Sequence, residues 1–151
     1  VQNHLVATID GPRYHAKLPT MSDEAWDSIS DDGSIFKAER RRLEWIGDSA
    51  MSARTSIKVY EMFPHGGVDF YTVVRSFVLS NETFSHIMQK IGPLCLACVA
   101  PFPAGKYPAD LFETVVGAFY KEKRESGWER EFDEWFDDTF TPLIEAADAA
   151  F

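Results

Sequence analysis

Cysteine is scarce in this chain: Cys95 and Cys98 form a single C-x-x-C, and no second pair exists. A structural zinc site takes about four ligands, and His4, His15, His65 and His86 are scattered without ligand spacing, so the thiols read as reduced and structural. Long apolar runs are missing as well. Nothing approaches the ~18 consecutive apolar residues that cross a bilayer, which excludes a membrane-spanning helix. Residues 1 to 20 lack a basic region followed by an apolar stretch, so no signal peptide is expected there, although a chain that opens on Val leaves room for a leader already removed. No internal repeat or low-complexity tract occurs. Basic charge is in deficit too, with 15 Lys and Arg against 24 Asp and Glu for a net −9, which on its face argues against a nucleic-acid partner.

Charge is unevenly distributed, however. Residues 1 to 38 carry three bases and six acids, residues 128 to 151 one base and eight acids, and residues 39 to 127 eleven bases and ten acids. A polyanion would therefore be met by the middle of the chain, where Arg40, Arg41 and Arg42 form the densest basic cluster. With 151 residues, 45% of them hydrophobic and 14% aromatic, the chain is long and apolar enough for one domain with a dense core.

Periodicity predicts helices throughout. Residues 1 to 19, with Gly11-Pro12 and Pro19, read as an irregular arm, and Thr20-Met21-Ser22-Asp23 as a cap before a short helix over 23 to 30. From Phe36 to Phe63, Leu43, Ile46, Ala50, Ala53, Ile57, Tyr60 and Phe63 recur at three and four, the stripe of a long amphipathic helix closed by Pro64 and Gly66-Gly67. Val68 to Leu79 reads as another helix. Ser80 can cap a third, with Phe84, Ile87, Met88 and Ile91 on its face, before Gly92-Pro93 opens a loop to residue 107. Pro108 suits the first position of a helix with Leu111, Phe112, Val115, Ala118 and Phe119 inside. A last helix from about Gly127 would bury Trp128, Phe132, Trp135, Phe136 and Phe140, and bend or restart at Pro142. The expected fold is all-α, with an arm and short helix over 1–35 and the functional domain over 36–151. Asn81-Glu82-Thr83 is a formal glycosylation sequon that begins an apolar-faced segment and reads as accidental.

Four acids do not fit a purely structural role. Glu44 and Asp48 lie four apart on one face of the long helix, and Asp110 and Glu113 three apart on a later one. Like charges at such spacings repel, so both pairs want a cation, and oxygen-only ligands suit Mg²⁺ or Mn²⁺. Glu44 falls between Leu43 and Ile46, and Glu113 between Phe112 and Val115, places where an uncompensated carboxylate is costly. Solvated surface acids are the alternative.

At these residues the chain resembles the ribonuclease III endonucleases. Arg42-Leu43-Glu44-Trp45-Ile46-Gly47-Asp48-Ser49 is similar to the family signature, and Ala109-Asp110-Leu111-Phe112-Glu113-Thr114-Val115-Val116-Gly117-Ala118-Phe119-Tyr120 resembles its second motif. Between them Arg75-Ser76, Val78 and Ser80-Asn81-Glu82-Thr83-Phe84 look like the family's helix-turn-helix; Lys106 and the Pro142-Leu143-Ile144-Glu145 ending are similar to its Dicer-like branch. The resemblance covers roughly residues 36 to 146. It implies an all-α homodimer that hydrolyses double-stranded RNA, leaving 5′-phosphates and short 3′ overhangs. Glu44, Asp48, Asp110 and Glu113 would bind Mg²⁺, for which Mn²⁺ can substitute, one ion lowering the pKa of the attacking water and the other stabilising the departing 3′ oxygen. By the same resemblance Trp45 would insert into the partner subunit, and Lys106 would offset charge on the scissile phosphate, with a solvated loop lysine as the alternative; Asn81 and, from charge density, Arg40, Arg41 and Arg42 are the other candidates to face the substrate, a solvated helix face being the alternative for the arginines.

Some positions depart from the family pattern. Arg40 and Arg41 stand where an Asn-Glu pair is common, and no His-Ser element is recognisable between Ser30 and Phe36. No double-stranded-RNA-binding domain follows Phe151, so cleavage would depend on the nuclease domain alone or on a partner. The alternative functions are a non-catalytic relative that binds structured RNA within a larger particle, and a helical protein-interaction module.

Overall fold

The computed structural model describes residues 1–30, 34–99 and 108–151, with side chains for 1–29, 37–91 and 108–151. Seven helices and no strand occur among the described residues: α1 (Gln2–Asp10), α2 (Asp23–Ser30), α3 (Ser34–Met62), α4 (Val68–Val78), α5 (Asn81–Val99), α6 (Pro108–Ser126) and α7 (Glu129–Ala149). The all-α expectation holds. None of these helices is long and apolar enough to cross a membrane.

The central pairing is α3 against α6, with α5 and α7 flanking α6 and α1 laid across α5 and α7. Phe84, Phe112, Phe136 and Phe140 are fully buried where α5, α6 and α7 meet, with Phe136 stacked on Phe140 at a centroid distance of 4.5 Å. Burying a side chain of this size stabilises the fold by about 1.5–3 kcal/mol each, so the aromatic cluster anchors α6 and α7 together. Arg54 of α3 donates to both carboxylate oxygens of Asp137 on α7 at 3.0 Å, and Lys58 one turn later donates to the same carboxylate at 3.1 Å.

Capping follows the sequence. Ser22 Oγ accepts from the Ala25 amide at 3.2 Å at the start of α2, while the Ser22 amide donates to the Glu122 carboxylate at 3.1 Å and so ties α2 to α6. Ser80 Oγ accepts from the Thr83 amide at 3.1 Å and caps α5 as expected.

Several expectations are corrected. Residues 2 to 10 are helical, not irregular, because Leu5 and Ile9 bury completely against the bundle; two apolar residues one turn apart carry too little periodicity to be read, and packing supplies the stability. Gly92-Pro93 does not end α5, which continues to Val99: the proline forfeits one ladder hydrogen bond, and Leu94-Cys95-Leu96-Ala97-Cys98 can propagate the helix beyond it. Likewise α7 runs unbroken through Pro142. The long-helix stripe is displaced. Its buried line is Leu43, Gly47, Met51, Thr55 and Val59, whereas Ile57 and Tyr60 are exposed. Trp128 is exposed too, because it stands at the N-cap of α7 and not on its inner face.

Candidate metal centre

Glu44 leaves α3 from the residue after buried Leu43, and Asp110 and Glu113 leave the first two turns of α6 among buried Ala109, Leu111 and Phe112. Carboxylate oxygens of these three residues lie within 4.8 Å of one another, and all three side chains are half-buried. Asp110 belongs to the first turn of α6, where the exposed amides of the helix favour negative charge. Three half-buried carboxylates at this separation form a hard, all-oxygen donor set, which fits Mg²⁺ or Mn²⁺ far better than a soft metal. Asp48, one turn beyond Glu44, is exposed and lies outside the 4.8 Å set.

What brings the acids together is the closeness of the two helix backbones. A Cβ on Gly47 would overlap the Glu113 carbonyl oxygen, and one on Gly117 would overlap the Leu43 carbonyl oxygen. Both glycines fall inside the two motifs, but the motifs alone do not disclose what they do; the signal in the sequence is a glycine in a helix interior, where it costs about 1 kcal/mol relative to alanine.

The basic candidates separate. Arg40 is only 5% exposed and its guanidinium points at the Ile29 carbonyl near the end of α2, at a long 3.5 Å. A buried guanidinium at a helix C-terminus serves the α2–α3 junction, so Arg40 is not placed to meet a phosphate. Arg41 and Arg42 are exposed, and Arg42 pairs with Glu39 at 3.2 Å. They line a groove of about 740 Å³ together with Trp45, Tyr120, Lys121 and Arg124, the last three being contacts that the sequence did not single out. Arg124 donates to the Tyr120 hydroxyl at 2.9 Å, which holds the guanidinium along α6. Trp45 is 71% exposed at the rim of this groove. Asn81 is exposed at the first turn of α5. Lys106 lies outside the described residues.

No family model matches the chain. Two curated relatives do, both named Ribonuclease 3: that of Caenorhabditis elegans is 29% identical over 93 residues and that of Caenorhabditis briggsae 32% identical over 93 residues. Each alignment takes in 59% of this chain, but the chain spans only 9% of either relative. Among solved structures, Dicer from Pichia stipitis has the same fold, with a TM-score of 0.69 at 22% identity, over 92% of this chain and 63% of that one. The chain is thus similar in sequence to two proteins named Ribonuclease 3 and shares its helical fold with Dicer, and its two acid-bearing motifs, the stretches that resemble the ribonuclease III endonucleases, meet at one helix crossing.

Proposed function

We propose that the domain is a divalent-metal-dependent endoribonuclease that hydrolyses phosphodiester bonds in double-stranded RNA, leaving 5′-phosphate and 3′-hydroxyl ends with short 3′ overhangs. The observation that carries this reading is the convergence of Glu44, Asp110 and Glu113 within 4.8 Å across the α3–α6 crossing. Likeness to proteins named Ribonuclease 3 supports it.

Glu44, Asp110 and Glu113 would hold Mg²⁺, with Asp48 completing the set from the exposed turn of α3 through its carboxylate or an intervening water. Bound there, the metal supplies Lewis-acid charge and a water acidified enough to act at neutral pH. The chain's own residues do the rest by position. Glu44 and Glu113 approach from opposite helices and fix the site in the cleft, while Asp110 adds a third oxygen donor from a helix end that tolerates its charge. No serine, cysteine or histidine nucleophile is required. Arg41 and Arg42 extend from the same stretch of α3 that carries Glu44, so phosphates held there register the strand against the acids. Lys106 offsets charge at the scissile phosphate. The catalytic elements occupy residues 36–151, and residues 1–35 buttress them.

The working unit in this proposal is a homodimer in which the exposed Trp45 of each protomer enters the other, so that two symmetric sites cut the two strands. The test is incubation of long double-stranded RNA with the protein in Mg²⁺ and in chelator. Short duplex products with 5′-phosphates in Mg²⁺ alone are expected; intact RNA in both would overturn the reading in favour of a non-catalytic RNA binder.

A further inference from the structure

We infer that Gly117 is a positioning residue for the carboxylate cluster: its missing side chain sets the depth of the α3–α6 crossing at which Glu44 meets Asp110 and Glu113. The inference rests on the metal-site reading above and concerns how that site is held, not which residues form it. A Cβ at Gly117 would overlap the Leu43 carbonyl oxygen and stand 2.6 Å from the Leu43 carbonyl carbon and 3.1 Å from its Cα. Reciprocally, a Cβ at Gly47 would overlap the Glu113 carbonyl oxygen and stand 2.8 Å from the Gly117 nitrogen. All of these contacts are to backbone, which cannot swing aside as the end of a flexible side chain can. The helices therefore touch at Leu43 and Glu113, one the neighbour of Glu44 and the other a member of the cluster.

Gly117 sits in a helix interior flanked by buried Val115, Val116, Ala118 and Phe119, where glycine is a weaker helix former than alanine, so its presence there follows from the close approach of α3 and not from helix propensity. A methyl group there would have to push α3 away by roughly 1.6 Å or more to restore an ordinary contact distance. Mg²⁺ accepts oxygen ligands only within a narrow range near 2.0–2.1 Å, so a displacement of that size moves Glu44 out of reach of an ion held by α6. The depth of the crossing thus becomes a determinant of metal affinity.

The experiment measures Mn²⁺ binding by the electron paramagnetic resonance signal of the free ion, with circular dichroism on the same samples, for the parent, Gly117→Ala, Glu113→Gln and the double variant Gly117→Ala with Asp110→Glu. A helical Gly117→Ala is expected to bind Mn²⁺ about tenfold or more weakly. The double variant, whose carboxylate reaches one methylene further across the opened crossing, should recover part of the loss. Val74→Ala, a core truncation in α4, should lower the melting temperature and leave Mn²⁺ affinity at the parent value, which separates positioning from general destabilisation. A folded Gly117→Ala with parent affinity, or a double variant no better than the single one, overturns the inference. If Gly117→Ala does not fold, Gly47→Ala is measured in its place with the same expectation; failure of both to fold, even with trimethylamine oxide to favour the compact state, makes the crossing a folding requirement and overturns the inference as well. Unchanged Mn²⁺ binding in Glu113→Gln would instead sink the metal-site reading itself.

Discussion

The Tyr14 hydroxyl donates to the backbone carbonyl of Thr139 at 3.1 Å, joining residues 125 positions apart, and both are almost wholly buried. Thr139 lies one turn before Pro142 in α7. The Trp135 indole N–H donates to the Lys17 carbonyl at 2.9 Å, so the segment between α1 and α2 is fastened to α7 at two points.

Removing this hydroxyl should be felt in stability and in its pH dependence. Tyr14→Phe removes this buried hydrogen bond and should cost about 1 kcal/mol. Burial pushes the Tyr14 hydroxyl well above its ordinary value of 10.0. The folded pKa is therefore above the unfolded one: the contribution is complete below pH 10 and is lost as pH rises from there towards the folded value. Thermal melts between pH 8 and 11 should show the parent losing stability above pH 10, with a shallower decline in Tyr14→Phe. Parallel declines would mean that Tyr14 does not govern the alkaline limb.

Much of this architecture was legible in the sequence because α5 and α6 bury faces that repeat at three and four, and because Ser22 and Ser80 stand where caps belong. Spacing alone drew attention to Glu44, Asp110 and Glu113, whose carboxylates converge. What spacing could not reach was set by tertiary contact. On α3 the strongest apolar stripe includes Ile57 and Tyr60, which are exposed, while the true core line runs through Gly47 and Thr55, residues that no hydrophobicity pattern selects. Arg40 looked like one of three equivalent arginines, and only packing against the end of α2 separates it from Arg41 and Arg42. Spacing likewise put Asp48 level with Glu44, but only the arrival of α6 distinguishes the half-buried acid from the exposed one.

That distinction gives the acids a rank. Glu113→Gln and Asp110→Asn keep shape and remove a charge from the converged set, so cleavage of double-stranded RNA should fall by about 100-fold or more, a loss of roughly 2.7 kcal/mol of barrier lowering. Asp48→Asn should also impair cleavage, with more of the deficit recovered by raising Mg²⁺. Single-turnover rates over a Mg²⁺ series, with helicity monitored in parallel, decide the matter. Near-parent rates for Glu113→Gln would remove the basis of the metal site.

Affinity should be governed by few charges. Arg41 and Arg42 are exposed while the protein as a whole carries −9, so binding to double-stranded RNA should be weak and should weaken further as salt rises, with a slope set by these few contacts. Replacing either arginine by alanine should lower the slope of log affinity against log salt by about one, whereas Arg40→Ala should leave the slope unchanged and lower the melting temperature. A salt titration by fluorescence anisotropy in Ca²⁺, which permits binding without rapid turnover, measures both. Equal effects of Arg40 and Arg41 on the slope would contradict the division that burial draws between them.

Trp45 provides the sharpest test of the proposed dimer. A tryptophan 71% exposed on a helix interior is a large uncovered apolar area, and it stands at the rim of a groove bounded by Tyr120, Lys121 and Arg124. It follows Glu44 directly, so it leaves α3 about 100° away from the acid and can meet a partner without obstructing the cleft. Tyr60, 64% exposed, lies fifteen residues further along the same helix and about 60° round from Trp45, which extends the uncovered face towards the far end of α3. A buried tryptophan anchor contributes about 2 kcal/mol or more to an interface, so Trp45→Glu should weaken self-association about 30-fold or more and abolish paired-strand cutting with every acid intact. Because the side chain is exposed within its own protomer, the melting temperature at concentrations where the parent is monomeric should change by no more than a few degrees. Light scattering across a concentration series, with melts on the same samples, separates the outcomes. A parent that stays monomeric while cutting both strands would end the dimer proposal, and a Trp45→Glu chain that unfolds would show that the tryptophan serves its own subunit.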